Sequence, residues 1–179
     1  MKLRRVVTGH DARGKAVFAA DGAPPVARDF AHPAGFFQAL VWSTPPHPAA
    51  PGEGDPTPFV RTLHPEPGGT RLVVVSFPPD AVMRAPGFDP AAAASEHLRH
   101  TPGIADRMEH DNPGMHRTDT VDYVIVLDGE IWLELDDGKE LHLKPHDIVI
   151  QNGTRHAWRN KSKANATILA TLIGTAPRG

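Results

Sequence analysis

Two histidines and one aspartate stand at spacings that could bring them into one site. An alternating polar run contains His116, Thr118, Thr120 and Asp122, and His156 lies in a later run. Imidazole nitrogens with a carboxylate are a recognised ligand set for iron, and zinc accepts the same atoms. The chain has no cysteine, which excludes thiolate ligands, a cysteine nucleophile and disulfides.

The elements around these residues are predicted to be short antiparallel strands. Asp128-Gly129, Asp137-Gly138 and Asn152-Gly153 separate alternating or apolar runs from Val121 onward, and such pairs are the strongest local hairpin signals. Closely spaced strands without intervening helices predict an all-β sandwich or barrel. One helix is predicted, over residues 89–100.

Strand alternation assigns the inward face. If Val124 points into a barrel, the polar run from His116 to Asp122 points inward too, because its residues share the same parity. Buried polar side chains are costly unless a partner, a metal or a ligand satisfies them. Trp132 has the opposite parity to its apolar neighbours, so it lies on an outer surface that something else must cover.

The composition limits the class of protein. Nineteen basic and 21 acidic residues give a net charge of −2, which argues against a nucleic-acid partner. Nineteen prolines and 16 glycines disfavour a helical bundle, and 40% apolar residues disfavour disorder. The apolar runs are too short to span a membrane and no secretory start is visible, so we expect a cytoplasmic protein.

The chain divides into three parts of one structural domain. Residues 1–84 are predicted to form N-terminal strands and a wrapping arm, with a proline-rich stretch over 44–67. Residues 85–114 carry the helix and a connecting loop, and residues 115–174 form the barrel core.

Residues 115–160 resemble the cupin superfamily, small β-barrels related to germins. The first cupin motif has His-x-His, three or four residues, Glu, six residues and Gly; His116-Arg117-Thr118, Asp122 and Gly129 keep this spacing. The second motif has Pro-x-Gly, two residues, His, three residues and Asn; Gln151-Asn152-Gly153, His156 and Asn160 keep that spacing. Thr118, Asp122 and Gln151 depart from the motif residues.

The resemblance implies a cupin-type double-stranded β-helix, or jelly-roll barrel, with its site inside. It further implies one divalent metal (Fe, Zn, Mn or Ni), for which His116, Asp122 and His156 occupy the matching positions. A small-molecule enzyme of oxygenase, isomerase or lyase type is expected, and no motif for a nucleotide or flavin is present. Cupins of this size are often homodimers, which agrees with an outward Trp132.

Several residues are candidates for contact with a small-molecule ligand. Asp122, if it does not bind metal, is the best general base, and Thr118, Thr120, Trp158 and His110 are expected to line the pocket. Two other functions remain open: a metal-free cupin that serves as a binding or sensor module, and a structural partner protein that docks through its proline-rich segment.

Overall fold

The chain folds into short antiparallel strands, as the turn pairs predict. The computed structural model describes residues 1–49 and 54–177. The elements are β1 (Arg5–His10), β2 (Ala16–Gly22), β3 (Val26–Asp29), β4 (Phe37–Thr44), β5 (Thr70–Phe77), α1 (Pro90–His100), β6 (Thr120–Asp128), β7 (Ile131–Glu134), β8 (Glu140–Leu143), β9 (Ile148–Gln151), β10 (Ala157–Arg159) and β11 (Ala166–Gly174). Short 3₁₀ turns cover Thr57–Phe59, Asp80–Arg84, Ala105–Arg107 and Asp136–Gly138.

Two sheets enclose the core, and a separate hairpin stands beside them. The larger sheet has the order β3-β4-β5-β11-β6-β9, the smaller has β10-β7-β8, and β1 pairs only with β2. Apolar side chains from both sheets form one buried cluster: Leu40, Leu63, Val73, Val124, Val126, Ile131, Leu133, Leu143, Ala166, Ile168, Ala170 and Leu172. The prediction of an all-β fold is therefore confirmed.

The strands of the first half belong to the barrel itself. β3, β4 and β5 extend the sheet that β11, β6 and β9 continue, so the N-terminal part supplies half of the larger sheet. β3 is absent from the sequence prediction because all four of its residues are exposed, and an edge strand without a buried face shows no apolar alternation.

The proline-rich stretch ends in contact with the barrel. Residues 50–53 lie outside the described part of the chain. Beyond them, a segment that we call the closing segment (residues 54–66) buries Thr57, Leu63 and Pro65, and Leu63 joins the central cluster. A Cβ added to Gly174 would meet the carbonyl oxygen of Glu66 at 2.1 Å, so the closing segment crosses the sheet where β11 ends.

The parity of β7 agrees with the sequence. Ile131 and Leu133 are buried, whereas Trp132 is half-buried on the outer face. The indole stacks on His142 of the neighbouring strand, with ring centroids 4.2 Å apart. His142 of the same chain therefore shields part of the Trp132 indole from solvent. Within residues 1–49 and 54–177, no helix has the length and apolar character that crossing a membrane requires.

Candidate functional site

A row of polar side chains lies on the inner face of the larger sheet. His116, Thr118, Thr120 and Asp122 are all buried, and so is Val124 in the same parity. Extended backbone turns successive side chains to opposite faces, so the apolar residues of β6 carry the polar residues before them into the interior. The inward placement predicted for this row is confirmed.

His116 and His156 meet in the interior although 39 residues separate them in the chain. Each backbone nitrogen donates to the other residue's carbonyl at 3.0 Å, and the ring centroids lie 4.4 Å apart. Nδ1 of His116 lies 2.9 Å from the Gly114 carbonyl, and Nδ1 of His156 lies 3.0 Å from that of Thr154. Because a carbonyl only accepts, Nδ1 carries the proton and Nε2 keeps its lone pair.

Burial keeps both imidazoles neutral. It lowers the pKa of His156 to about 4, with a further contribution from the neighbouring His116. It also lowers the pKa of His116, against the opposing effect of the Gly114 carbonyl. At neutral pH the pair therefore presents two uncharged rings whose Nε2 atoms can accept hydrogen bonds.

Asp122 is the ionisable group that burial affects in the opposite direction. Burial raises the pKa of its carboxyl to about 6, while the Thr120 hydroxyl acts to lower it. Oδ1 of Asp122 is buried and has no hydrogen-bond partner among the residues described. Beside it, the hydroxyl oxygens of Thr118 and Thr120 lie 2.8 Å apart and share a hydrogen bond.

The three residues predicted to bind a metal belong to two separate strand pairings. Asp122 pairs with Gln151 across β6 and β9, whereas His116 pairs with His156 in a separate bridge. Within residues 1–49 and 54–177, no group of three or more histidine, aspartate or glutamate side chains is placed to hold a metal ion. Aspartate is one methylene shorter than the glutamate of the motif, so its oxygens stay closer to its own strand.

The remaining predicted residues have different surroundings. Trp158 is half-buried and packs against the central cluster, and its ring meets His156 edge-on at a centroid distance of 6.0 Å. His110 is exposed on the loop before the barrel. Asn160 is buried but structural, because its Nδ2 donates to the carbonyls of Phe77 and Ala164.

Two arginines that sequence reasoning missed secure the loop beside His116. Arg155 binds both carboxylate oxygens of Glu109 at 2.6 Å. Arg159 donates to the Asn112 side chain at 2.9 Å and to the Pro113 carbonyl at 2.5 Å. These contacts position the Gly114 carbonyl that orients His116. Their sequence signal is weak, because only the proximity of Arg155 and Arg159 to His156 points to them.

Comparisons with known proteins agree with this fold. No family model matches the chain. Phomopsin biosynthesis cluster protein C' of Diaporthe leptostromiformis is 56% identical over 48 residues, 27% of this chain and 25% of that protein. Cupin-domain-containing oxidoreductase srdB of Neurospora crassa is 37% identical over 84 residues, 44% of this chain and 43% of that protein. The chain thus matches less than half the length of these curated relatives.

Two solved structures with a similar backbone are also cupins by name. An RmlC-like cupin family protein from Methanocaldococcus jannaschii has a TM-score of 0.39 at 13% identity, over 64% of this chain and 74% of that chain. A sugar phosphate isomerase from a cupin superfamily of Silicibacter pomeroyi has a TM-score of 0.41 at 14% identity, over 79% and 60%. At these TM-scores the likeness supports no inference about activity.

The antiparallel barrel with its inward polar row defines the class of protein, and the relatives named for their cupin domain agree with it. The fold is therefore a cupin-type all-β barrel, and the similarity to these relatives supports the cupin superfamily.

Proposed function

We propose that this chain is a small-molecule enzyme whose reaction takes place inside the barrel at Asp122. One observation carries the proposal: the Asp122 carboxyl is buried, and its Oδ1 lacks a hydrogen-bond partner within the described residues. Leaving such an oxygen unpaired is expensive, and groups with perturbed pKa values concentrate at functional sites. The relatives named as oxidoreductases support an enzyme in general.

Asp122 acts as the general base in this proposal. With a pKa of about 6, it is mostly ionised at neutral pH and still close enough to the working pH to exchange protons efficiently. Oδ1 takes a proton from a substrate carbon or hydroxyl. Thr118 and Thr120 contact the substrate beside it, Nε2 of His116 and of His156 accept hydrogen bonds, and Trp158 excludes water.

Isomerase and lyase reactions are the classes that a general base can begin by itself. Oxygenase reactions require in addition a metal such as iron, and the assignment of His116, Asp122 and His156 as its ligands stays a prediction. The alternative function is a metal-free binding or sensor module. It is favoured by the separation of Asp122 from the histidine pair.

Hydrogen exchange at carbon tests the proposal without knowledge of the product. Small carboxylates, phenols and sugars are screened for a rise in Tm, and each compound that binds is incubated with the protein in D₂O. We expect deuterium to replace hydrogen at a C–H position of the compound, and the loss of that ¹H NMR signal measures the rate. Asp122→Asn should slow this exchange about a hundredfold or more, because a positioned general base contributes roughly 10²–10⁴ in rate.

Asp128→Asn is the matched control, because Asp128 lies on the same strand but is exposed; its exchange rate should equal that of the wild type. Dialysis against EDTA should leave the rate unchanged if Asp122 acts without a metal. A rate of carbon exchange in Asp122→Asn equal to that of the wild type would refute the proposal. Binding without exchange in the wild type would establish the binding module instead.

A further inference from the structure

Among the described residues, two buried side-chain atoms lack a hydrogen-bond partner: Oδ1 of Asp122 and Nε2 of His64. The first belongs to the site already described, but the second does not. His64 lies in the closing segment and directly follows Leu63. The side chain of Leu63 belongs to the central cluster. An unpaired buried nitrogen destabilises the fold, so His64 needs an explanation beyond packing.

The closing segment passes the start of β6. The Thr175 amide donates to the Asp119 carbonyl at 2.9 Å, and Gly174 beside it lies against the Glu66 carbonyl of the closing segment. Asp119 also acts electrostatically to raise the pKa of His64, as expected of a nearby carboxylate. This proximity does not follow from the sequence, because the two segments are more than 50 residues apart.

The register of the larger sheet connects the two unpaired atoms. Asp122 pairs with Leu172, and Leu172 pairs with Arg71 on the next strand, so the three side chains share the inner face. Nε of Arg71 donates to the Thr62 carbonyl of the closing segment at 3.2 Å. His64 and Asp122 therefore belong to the same end of the barrel.

The charges around His64 favour an uncharged ligand. Arg71 pairs with Glu66 at 3.2 Å and Arg107 with Asp106 at 3.4 Å, so both cations already have a counter-charge. Burial is the main cause that lowers the pKa of His64 and leaves it neutral. The positive charge that would recognise an anion is thus already neutralised, and a neutral imidazole exchanges hydrogen bonds with a hydroxyl group.

We propose that His64 contacts the substrate directly, and that Nε2 forms a hydrogen bond with a hydroxyl group of an uncharged organic molecule. This inference rests on the proposed function, since it places the same substrate at the end of the barrel that holds Asp122. It deepens that function by selecting hydroxyl compounds over carboxylates. His64 is then a substrate-binding residue that the motif positions of the chain do not reveal.

Binding and stability measured together test this role. The probes are a panel of phenols, aliphatic alcohols and sugars, each matched with a carboxylate of similar size. We expect wild type to bind at least one hydroxyl compound more tightly than its matched carboxylate, with a shift of the His64 Nε2 signal in ¹⁵N-histidine NMR. His64→Leu should weaken that binding at least tenfold, and His64→Gln should retain it within about threefold.

A ligand-binding residue and a packing residue differ in their effect on the free protein. Because His64→Leu removes an unpaired polar atom, Tm of the unliganded protein should rise, by about 2–4 °C for a chain of this size. His100→Leu is the control: it replaces another half-buried imidazole, on α1, and binding should not change. A fall in Tm of His64→Leu with unaltered binding would show that His64 only supports the fold and would overturn the inference.

Other outcomes separate this inference from the proposed function. If Asp122→Asn abolishes carbon exchange while His64→Leu binds normally, the role of His64 is wrong and the proposed function stands. If matched carboxylates bind as tightly as hydroxyl compounds, or if no hydroxyl compound binds, the substrate class is wrong. If Asp122→Asn catalyses carbon exchange at the wild-type rate while His64→Leu loses binding, Asp122 is not the general base. His64 is then still supported as a ligand-binding residue.

Discussion

Asp122 and His156 both lose contact with solvent inside the barrel, and burial moves their pKa values in opposite directions. The pKa of the Asp122 carboxyl rises from 3.8 to about 6, and the pKa of the His156 imidazole falls from 6.5 to about 4. A raised acid pKa means that the folded state keeps its proton longer, so the contribution of Asp122 to stability falls as pH rises from about 4 to 6. His156 contributes in the opposite sense over the same interval, because the folded state excludes its proton.

Replacing Asp122 isolates one of these two effects. Asp122→Asn is neutral at every pH, so its free energy of unfolding relative to wild type should increase between pH 4 and pH 7. The rise of the Asp122 pKa from 3.8 to about 6, at ~1.4 kcal/mol per pH unit, sets the size of this increase at up to about 3 kcal/mol. Urea denaturation at the two pH values measures it, with Asp128→Asn as the control. An equal difference at pH 4 and pH 7 would contradict the raised pKa.

Among the secondary-structure elements, the turn between β6 and β7 places the polar row relative to the smaller sheet. Gly129 has φ +73°, and a Cβ there would lie 2.4 Å from the Asn165 carbonyl oxygen. The glycine of the first motif is thus required both by its backbone conformation and by the close approach of the strand that leads into β11. At this position backbone strain and overpacking act together.

We expect Gly129→Ala to lower the free energy of unfolding by about 2–4 kcal/mol, as the sum of a left-handed backbone penalty and a backbone contact. Gly138→Ala separates the two causes. Gly138 has φ +66° but nothing within 4 Å of an added Cβ, so its cost should be about 1 kcal/mol. Chemical denaturation of both variants gives the comparison, and equal losses would show that the contact at Asn165 is unimportant.

The whole molecule exposes an apolar surface on the outer face of the larger sheet. Tyr123, Ile148 and Ile150 are 49%, 65% and 58% exposed, and β6 pairs with β9 so that Tyr123 lies opposite Ile150. Adjacent exposed apolar residues are typical of protein interfaces. Tyr123 is thus part of this surface, whereas Trp132 already has a partner in His142.

We expect the homodimer predicted from the sequence to form through Tyr123, Ile148 and Ile150. Ile150→Lys should then convert the dimer to a monomer, because burying an unpaired ammonium is costly, and light scattering after gel filtration measures the mass. Leu141→Lys is the control, since Leu141 is 62% exposed on the smaller sheet. A dimer that survives Ile150→Lys but dissociates in Leu141→Lys would place the interface on the other sheet.

The sequence by itself determined the elements and the inward face. The three predicted turn pairs, Asp128-Gly129, Asp137-Gly138 and Asn152-Gly153, lie at the turns between β6 and β7, between β7 and β8, and between β9 and β10. α1 begins after Asp89, whose side chain accepts from the Ala91 and Ala92 amides at 2.9 Å. Turn chemistry, capping and alternation are local properties, so neighbouring residues suffice to predict them.

Only the tertiary structure decided which inward side chains meet. Register between distant strands places His116 against His156 and leaves Asp122 beside Gln151, and the closing segment brings His64 to the same end of the barrel. Motif spacing states how far apart residues are along one strand, whereas a binding site depends on distances between strands. Those distances arise from pairing across the whole sheet, to which residues from both halves of the chain contribute.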